Sequence, residues 1–334
     1  MVVVEDHQER EPSMGEITTI GVDVAKHVFQ LHGVDAAGEV VLRRRLRRSQ
    51  IAVFFSSLRP CLIGMEACGT GHFWAREIAG FGHDVRLMPP GYVKPYVKRN
   101  KHDAADAEAV CEALRRPSMR FVPVKTPEQQ AALVAHGVRD LLVRQRTMLV
   151  NAMRGHLAEF GIIAPRGIHK VEELIAVIGD ASEQRIPASA RRTLRVLATE
   201  LAALDLRIAA LEAEIVTRTR MDPVARRLTT IPGVGPIIAS RITATVPDPS
   251  VFRSGRDFAA WIGLVPRQNS TGGKVRLGGI SKSGNGTLRS LLVGGAMAAM
   301  FRTKALQNDA WLLQLRARKP VKVAAVALAR ACSG

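Results

Sequence analysis

Aromatic side chains, paired cysteines and long apolar runs are all scarce in this 334-residue chain, and each scarcity excludes a class of protein. Aromatic residues make up 4% of the sequence, too few for a protein whose main grip is the stacking of single-stranded bases on aromatic platforms. The four cysteines, Cys61, Cys68, Cys111 and Cys332, form no CxxC pair or other metal-ligand spacing, so neither a disulfide framework nor a thiolate metal site is expected. No apolar run approaches the roughly 18 residues that a membrane-spanning helix needs. The N-terminal MVVVEDHQEREPSMGE is charged where a signal peptide would be apolar. The expectation is a soluble protein of a reducing cytoplasm with no membrane partner.

Negative charge is also in deficit. Lysine and arginine outnumber aspartate and glutamate 48 to 30, a formal net charge of +18, and an excess of that size favours a polyanionic partner, with nucleic acid as the leading candidate. With few aromatics, contacts to the phosphate backbone should dominate such binding.

The length suits two or three domains. Residues 17–34, ITTIGVDVAKHVFQLHGV, read as a strand, a turn and a second strand, followed by the hairpin signal DAAGE and a third run, VVLRRRLRR. A short helix over 51–58, the apolar strand CLIGME, a helix over 71–81 and the strand DVRLMPP follow. Periodicity alone supports an α/β unit over 16–125, behind an N-terminal tail over 1–15 expected to be flexible. From residue 126 the pattern turns helical and basic. Leu194, Leu197, Leu201, Leu204, Ile208, Leu211 and Ile215 then alternate spacings of three and four without a slip, as a coiled-coil seam does. That seam predicts helix pairing across 126–220, either as an intramolecular hairpin or as a dimer contact. Glycine and proline become frequent beyond Asp222, and a mainly helical third unit is expected over 221–334.

Four carboxylates stand at positions that suit chemistry. Asp23 nears the end of the first predicted strand and Glu66 ends a later one, while Asp103 and Asp106 are three residues apart at a helix start and so share a face. Hard oxygen ligands converging at one edge of an α/β sheet suit magnesium, with manganese as a substitute, and magnesium suits phosphate chemistry. Singly, each acid reads as well as a solvated charge or, for Asp103, a helix N-cap. Lys26, Lys98, Arg99 and Lys101 lie beside these acids in sequence as candidate phosphate contacts or as ordinary surface charge.

Toward the C-terminus, LTTIPGVGPIIASRITATV reads as helix, hairpin, helix, and Gly233 and Gly235 become candidates for backbone N–H contact with phosphate; a plain helical packing unit is the simpler alternative. Further on, Ser270 and Thr271 precede a Gly-Gly-Lys in a loop carrying Arg267, Lys274, Arg276 and Lys282. A hydroxyl there can approach a phosphodiester, with cations to stabilise the charge that develops.

IGVDVAK, GMEACGTG, KHDAADAEAV, IPGVGP and GLVPRQNSTGGKVRLGGISKSGN, in that order and spacing, resemble the DEDD insertion-sequence transposases, the "one-ten" family related to the Piv invertase. The resemblance runs from about residue 17 to 330. It implies an RNase H-like, RuvC-like N-terminal domain whose Asp23, Glu66, Asp103 and Asp106 bind magnesium, a central coiled coil, and a C-terminal transposase domain with a helix-hairpin-helix-like motif. It also implies a serine that attacks DNA and becomes covalently linked to it, a structured non-coding bridge RNA that pairs with donor and target DNA, a composite active site formed between protomers of a dimer or tetramer, and action at the prokaryotic nucleoid.

Two departures from the family pattern bear on these expectations. Members carry a serine directly before the glycine, where this chain has Thr271 with Ser270 one place earlier. A primary hydroxyl is less hindered, which favours Ser270, whereas counting from Pro266 selects Thr271. Members also continue beyond the helix that KPVKVAAVALARACSG begins, so a C-terminally truncated copy is expected, with its activity in question. Two alternatives stay open from sequence: a RuvC-like nuclease that acts on branched DNA with water as nucleophile, and an inactive nucleic-acid-binding remnant.

Overall fold

The computed structural model describes residues 16–98, 103–163, 167 and 170–332, so the expected N-terminal tail lies outside the described residues. The chain divides into two compact units, Met1–Thr126 and Pro127–Gly334.

The first unit is a five-stranded mixed sheet with helices on both faces. Its elements run β1 (Thr19–Val24), β2 (Val28–Val34), β3 (Val40–Arg47), α1 (Ile51–Ser57), β4 (Leu62–Glu66), α2 (Gly71–Ala79), β5 (Asp84–Met88), a single turn α3 (Pro90–Val93) and α4 (Asp103–Leu114). The sheet order is β3-β2-β1-β4-β5, with β1, β2 and β3 antiparallel and β1, β4 and β5 parallel. This is the RNase H-like arrangement expected from the sequence, three consecutive antiparallel strands followed by alternating helices and strands.

Alternation along the strands decides which residue meets which layer. Ile20 and Val22 of β1 and Ile63 and Met65 of β4 are fully buried against α1 and α2, in a core shared with Phe29, Phe55, Trp74 and Ile78. Their alternates, Gly21 and Asp23 on β1 and Gly64 and Glu66 on β4, therefore face the opposite side, where α4 lies. Helix α4 comes unusually close to the strands. A Cβ on Gly21 would stand 2.2 Å from the Ala107 carbonyl oxygen and 2.4 Å from the Cys111 amide nitrogen, and one on Gly64 would stand 2.8 Å from Leu114 Cδ2. Small residues on the helix complete the fit: Ala105, Ala107, Ala109 and Ala113 are all buried.

Among the described residues, the second unit is helical apart from one small hairpin. It comprises α5 (Pro127–Ala158), α6 (Val171–Gly179), α7 (Ala188–Met221), α8 (Pro223–Leu228), α9 (Pro236–Thr245), α10 (Gly255–Trp261), the strands β6 (Pro266–Gln268) and β7 (Leu277–Ile280), α11 (Gly286–Arg302), α12 (Lys304–Gln307), α13 (Ala310–Arg318) and α14 (Val321–Ala331). The heptad-spaced residues lie on α7, and Leu194, Leu201, Leu204, Ile208 and Ile215 are buried. Their partner is α5 of the same chain, which runs antiparallel to α7. Val150, Met153 and Leu157 of α5 share a core with Leu194 and Leu201. Arg139 pairs with Glu212, and Arg146 with Asp205 at 3.1 Å, across the two helices. Of the two pairings the spacing allowed, the structure shows the intramolecular hairpin. Among the described residues, no helix is long and apolar enough to cross a membrane.

The contact at Gly21 generates a direct expectation. Gly21→Ala forces α4 off the sheet, and overpacking of this kind costs about 1–3 kcal/mol. Urea denaturation should report that loss, and divalent-metal affinity should fall with it, because both aspartates of α4 move. Wild-type stability and affinity in the variant would show that α4 is free to shift without consequence.

Candidate functional site

The acidic site is built from a strand end and a helix start. Asp23 sits one residue before the end of β1 on the face that receives α4, and Asp103 and Asp106 open α4 itself. Carboxylate oxygens of Asp23, Asp103 and Asp106 lie within 4.8 Å of one another. Asp103 is exposed while Asp23 and Asp106 are half-buried, so water reaches the site from one side. Carboxylates at the first turn of a helix are favoured by the unpaired N–H groups and dipole there, which offsets part of the repulsion among three negative charges. The remaining repulsion favours a cation between them. An all-oxygen donor set open to water fits magnesium, which keeps several of its waters when protein-bound. The chemistry of the cluster therefore accommodates a divalent ion.

Glu66 is placed differently. The β1–β4 ladder runs in parallel register through Val22 opposite Met65, so the next position along sets Glu66 beside Asp23 on the same sheet face. Its carboxylate is not among the three that come together. Gly71, at the start of α2, lets the chain fold back tightly behind it, since a Cβ there would stand 2.6 Å from the Glu66 carbonyl oxygen.

Of the basic residues near the acids, Lys26 is exposed in the β1–β2 turn. Lys98 forms an ion pair with Glu108 of α4, and that hydrogen bond holds the Glu108 carboxyl below its ordinary range. Lys98 therefore has a protein partner as well as an exposed side chain. Arg99 and Lys101 lie outside the described residues. Cys111 packs at Gly21, and burial pushes its thiol up to about 11, which makes it a core filler rather than a ligand.

In the second unit, Ser270 and Thr271 lie in a β-hairpin rather than an open loop. Strands β6 and β7 pair antiparallel, and the tip is closed by Thr271 and Lys274, whose backbone groups exchange hydrogen bonds of 3.3 and 3.0 Å. Gly272 and Gly273 between them both have positive φ, +53° and +74°, as a two-residue type I′ turn demands. The Gly-Gly pair is thus explained by the turn. Ser270 Oγ accepts hydrogen bonds from Gln268 Nε2 and from the Arg276 amide, each at 3.2 Å. Both hydroxyl residues are exposed, as are Arg267, Lys274, Arg276 and Lys282. Arg267 donates to the Ser281 carbonyl, and Lys282 holds a left-handed backbone at φ 58°.

Gly233 and Gly235 separate in role. Gly233, at φ +88°, abuts α11: a Cβ there would stand 2.7 Å from the Gly295 carbonyl oxygen. That close backbone approach accounts for Gly233 as a packing residue. Gly235 is exposed and caps the start of α9.

Sequence reasoning missed Gly21 and the two donors to Ser270. A glycine two positions before a strand-end acid was the available signal for the first. Nothing in the sequence points to Gln268 or the Arg276 amide.

A family profile described as a transposase matches residues 20–162, and one described as the transposase IS116/IS110/IS902 family matches residues 225–311. A probable family 20 transposase of Pseudomonas aeruginosa is 52% identical over 317 residues, which is 94% of each chain. A putative transposase of Sinorhizobium fredii is 48% identical over 96% of this chain and 83% of its own length. The transposase for insertion sequence element IS1111A of Coxiella burnetii is 41% identical over 96% of this chain and 89% of its own.

The cluster predicts one tight Mn²⁺ site, readable by electron paramagnetic resonance titration. Asp23→Asn or Asp106→Asn should weaken it at least tenfold and Glu66→Gln less, because Glu66 stands outside the trio; equal affinity in all three variants and the wild type would place the ion elsewhere. From both profiles and these relatives, the chain belongs to the IS116/IS110/IS902 family of transposases, enzymes that cut and rejoin DNA.

Proposed function

We propose that this chain is the transposase of an insertion sequence and that it cuts and rejoins donor and target DNA through a covalent serine intermediate under the direction of a structured non-coding RNA. The observation that carries the reading is the convergence of Asp23, Asp103 and Asp106 in a chain of net charge +18. Three acids gathered in so basic a protein suit a metal that works on a phosphodiester. Magnesium bound there, or manganese in its place, would neutralise non-bridging phosphate oxygens and stabilise the charge that develops on attack. Glu66, on the neighbouring strand end, belongs to the same acidic set and would act on the metal's water shell or on a second ion.

The nucleophile is Ser270. Its Oγ accepts from two N–H donors, and such bonds favour the charged form of an oxygen that is losing its proton. Thr271 is instead committed through its backbone to the turn. The serine gives its proton to water, the Oγ–P bond forms as the bond from phosphorus to one sugar oxygen breaks, and that oxygen takes up a proton from water. A sugar hydroxyl of the second strand then displaces the serine and restores it. Arg267, Lys274, Arg276, Lys282, Lys26 and Lys98 contact the phosphates on this reading, with Arg99 and Lys101, while Gly235 offers backbone at the α9 terminus.

Guidance by RNA would assign sequence choice to base pairing, and the excess of lysine and arginine would hold the paired strands by their phosphates. Assembly as a dimer or tetramer is supported by α5, where Val134, Val138, Leu141 and Met148 are exposed at heptad-compatible spacings. A cytoplasmic protein acting on the nucleoid is the corresponding location.

Trapping the covalent species tests the nucleophile. With a suicide DNA substrate, the wild type and Thr271→Ala should yield a protein–DNA adduct that denaturing gels retain, and Ser270→Ala should yield none. An adduct surviving in Ser270→Ala but lost in Thr271→Ala would move the nucleophile by one residue. Cleavage without an adduct in any form would replace the serine with water.

A further inference from the structure

The edge strand β3 is dense in arginine. Arg43, Arg44, Arg45, Arg47 and Arg48 lie along it and the turn that follows, and all five are exposed. As an edge strand, β3 gains protection from mispairing through its charges, but a few lysines or arginines suffice for that. Arg44 shares the face of Leu46, over the Phe54 ring, while Arg43 and Arg45 take the alternate face, so the two sets flank an exposed edge that ends at a cleft of about 700 Å³ lined by His27, Val28, Arg47, Arg48, Ser49, Phe73 and Trp74. Among the described residues, no carboxylate lines this cleft. Arg48 sits over the Trp74 ring at 4.9 Å from its centroid, while Phe73, edge-on to Trp74 at 5.1 Å, is 43% exposed. In a chain so poor in aromatics, an exposed phenylalanine in a cleft that Arg47 and Arg48 also line is a costly thing to show to water.

The cleft also stands at the end of the sheet that carries the acids. His27 and Lys26 belong to the turn that joins β1 to β2, directly after Asp23 and Val24, and the Arg48 amide donates to the His27 carbonyl at 3.0 Å. Helix α2, which bears Phe73 and Trp74, follows Glu66 through a four-residue turn. The acids face α4, whereas Trp74 packs on the other face, so the β1–β2 turn with Lys26 lies between the two.

We propose that β3 and this cleft hold an unpaired segment of the DNA strand being cut, its phosphates following the arginines of β3 and one base stacked on Phe73 beside the Arg48 guanidinium. A basic track with an aromatic platform is the combination that grips single strands without regard to sequence, and arginine planes add to the stacking. Duplex is a poorer occupant, because a paired base cannot reach into a cleft until it leaves its stack. The role of the segment is to hold the strand open beside the metal site. This rests on the reading of the acids as a DNA-cutting centre, yet the two can fail separately.

Photocrosslinking tests it on the full-length protein in EDTA, so that no strand is cut. A twelve-nucleotide oligothymidylate carrying one 5-iododeoxyuridine is compared with the same sequence as RNA and as blunt duplex DNA. The DNA single strand should crosslink to the peptide that contains Phe73 and Trp74, with the RNA and duplex at least several-fold weaker. Phe73→Ala should cut that yield and the single-strand affinity by roughly tenfold, the loss of about one stacked base, and Phe73→Tyr should restore both. Absence of the crosslink, a crosslink from RNA alone, equal yield from duplex, or an affinity unchanged by Phe73→Ala would each overturn the proposal. Asp23→Asn should leave the crosslink intact. A crosslink at Phe73 in a protein whose acids prove dispensable for cutting would sink the catalytic reading and leave this one standing.

Discussion

The first unit depends on a contact between two backbones. At Gly21 the helix α4 presses its main chain against β1, and every property of the acidic site follows from that distance. Asp23 is fixed by the sheet, Asp103 and Asp106 by the first turn of the helix, and only a strand with no side chain at the crossing lets the two meet. A methyl group at that position has nowhere to go but the Ala107 carbonyl and the Cys111 amide. The alanines of α4 serve the same end from the helix side, at the cost of the apolar area that larger residues would bury. Site geometry and core packing are thus one constraint, and substitutions in the alanine-rich face of α4 should disturb metal binding without touching a ligand.

The second unit solves a different problem. It holds Ser270 and Thr271 exposed on a short hairpin closed by Gly272 and Gly273. The turn geometry pins the backbone of Thr271, and the cross-strand amide of Arg276 reaches Ser270 Oγ. The cations around it are left in solvent. The carboxylate cluster and the Ser270 hairpin therefore lie on separate units of the chain.

Much of this is legible in the sequence, for identifiable causes. The order of strands and helices through residue 88 follows from period-two alternation and from turn signals such as DAAGE, and β1 to β5 form where that patterning puts them. Asp23, Asp103 and Asp106 announce themselves by position, at a strand end and at i, i+3 on a helix start. The partner of the α7 seam is not legible, since the heptad spacing of Leu194 to Ile215 serves an intramolecular hairpin as well as a dimer; the ion pairs of Arg139 and Arg146 with α7 exist only in three dimensions. The close packing of Gly233 on Gly295 is not legible, since it depends on a residue 62 positions away. The arginines of β3 read as one strand among three until the fold shows that β3 is an edge and that α2 brings Phe73 to its end.

The measurement that bears most directly on the account is a crystal structure of the protein grown in manganese, with anomalous scattering to locate the ion. The account predicts a peak among the carboxylates of Asp23, Asp103 and Asp106, at about 2.0–2.3 Å from their oxygens, with α4 seated on Gly21. An ordered α4 with no peak there, or a peak held by other residues, would contradict it.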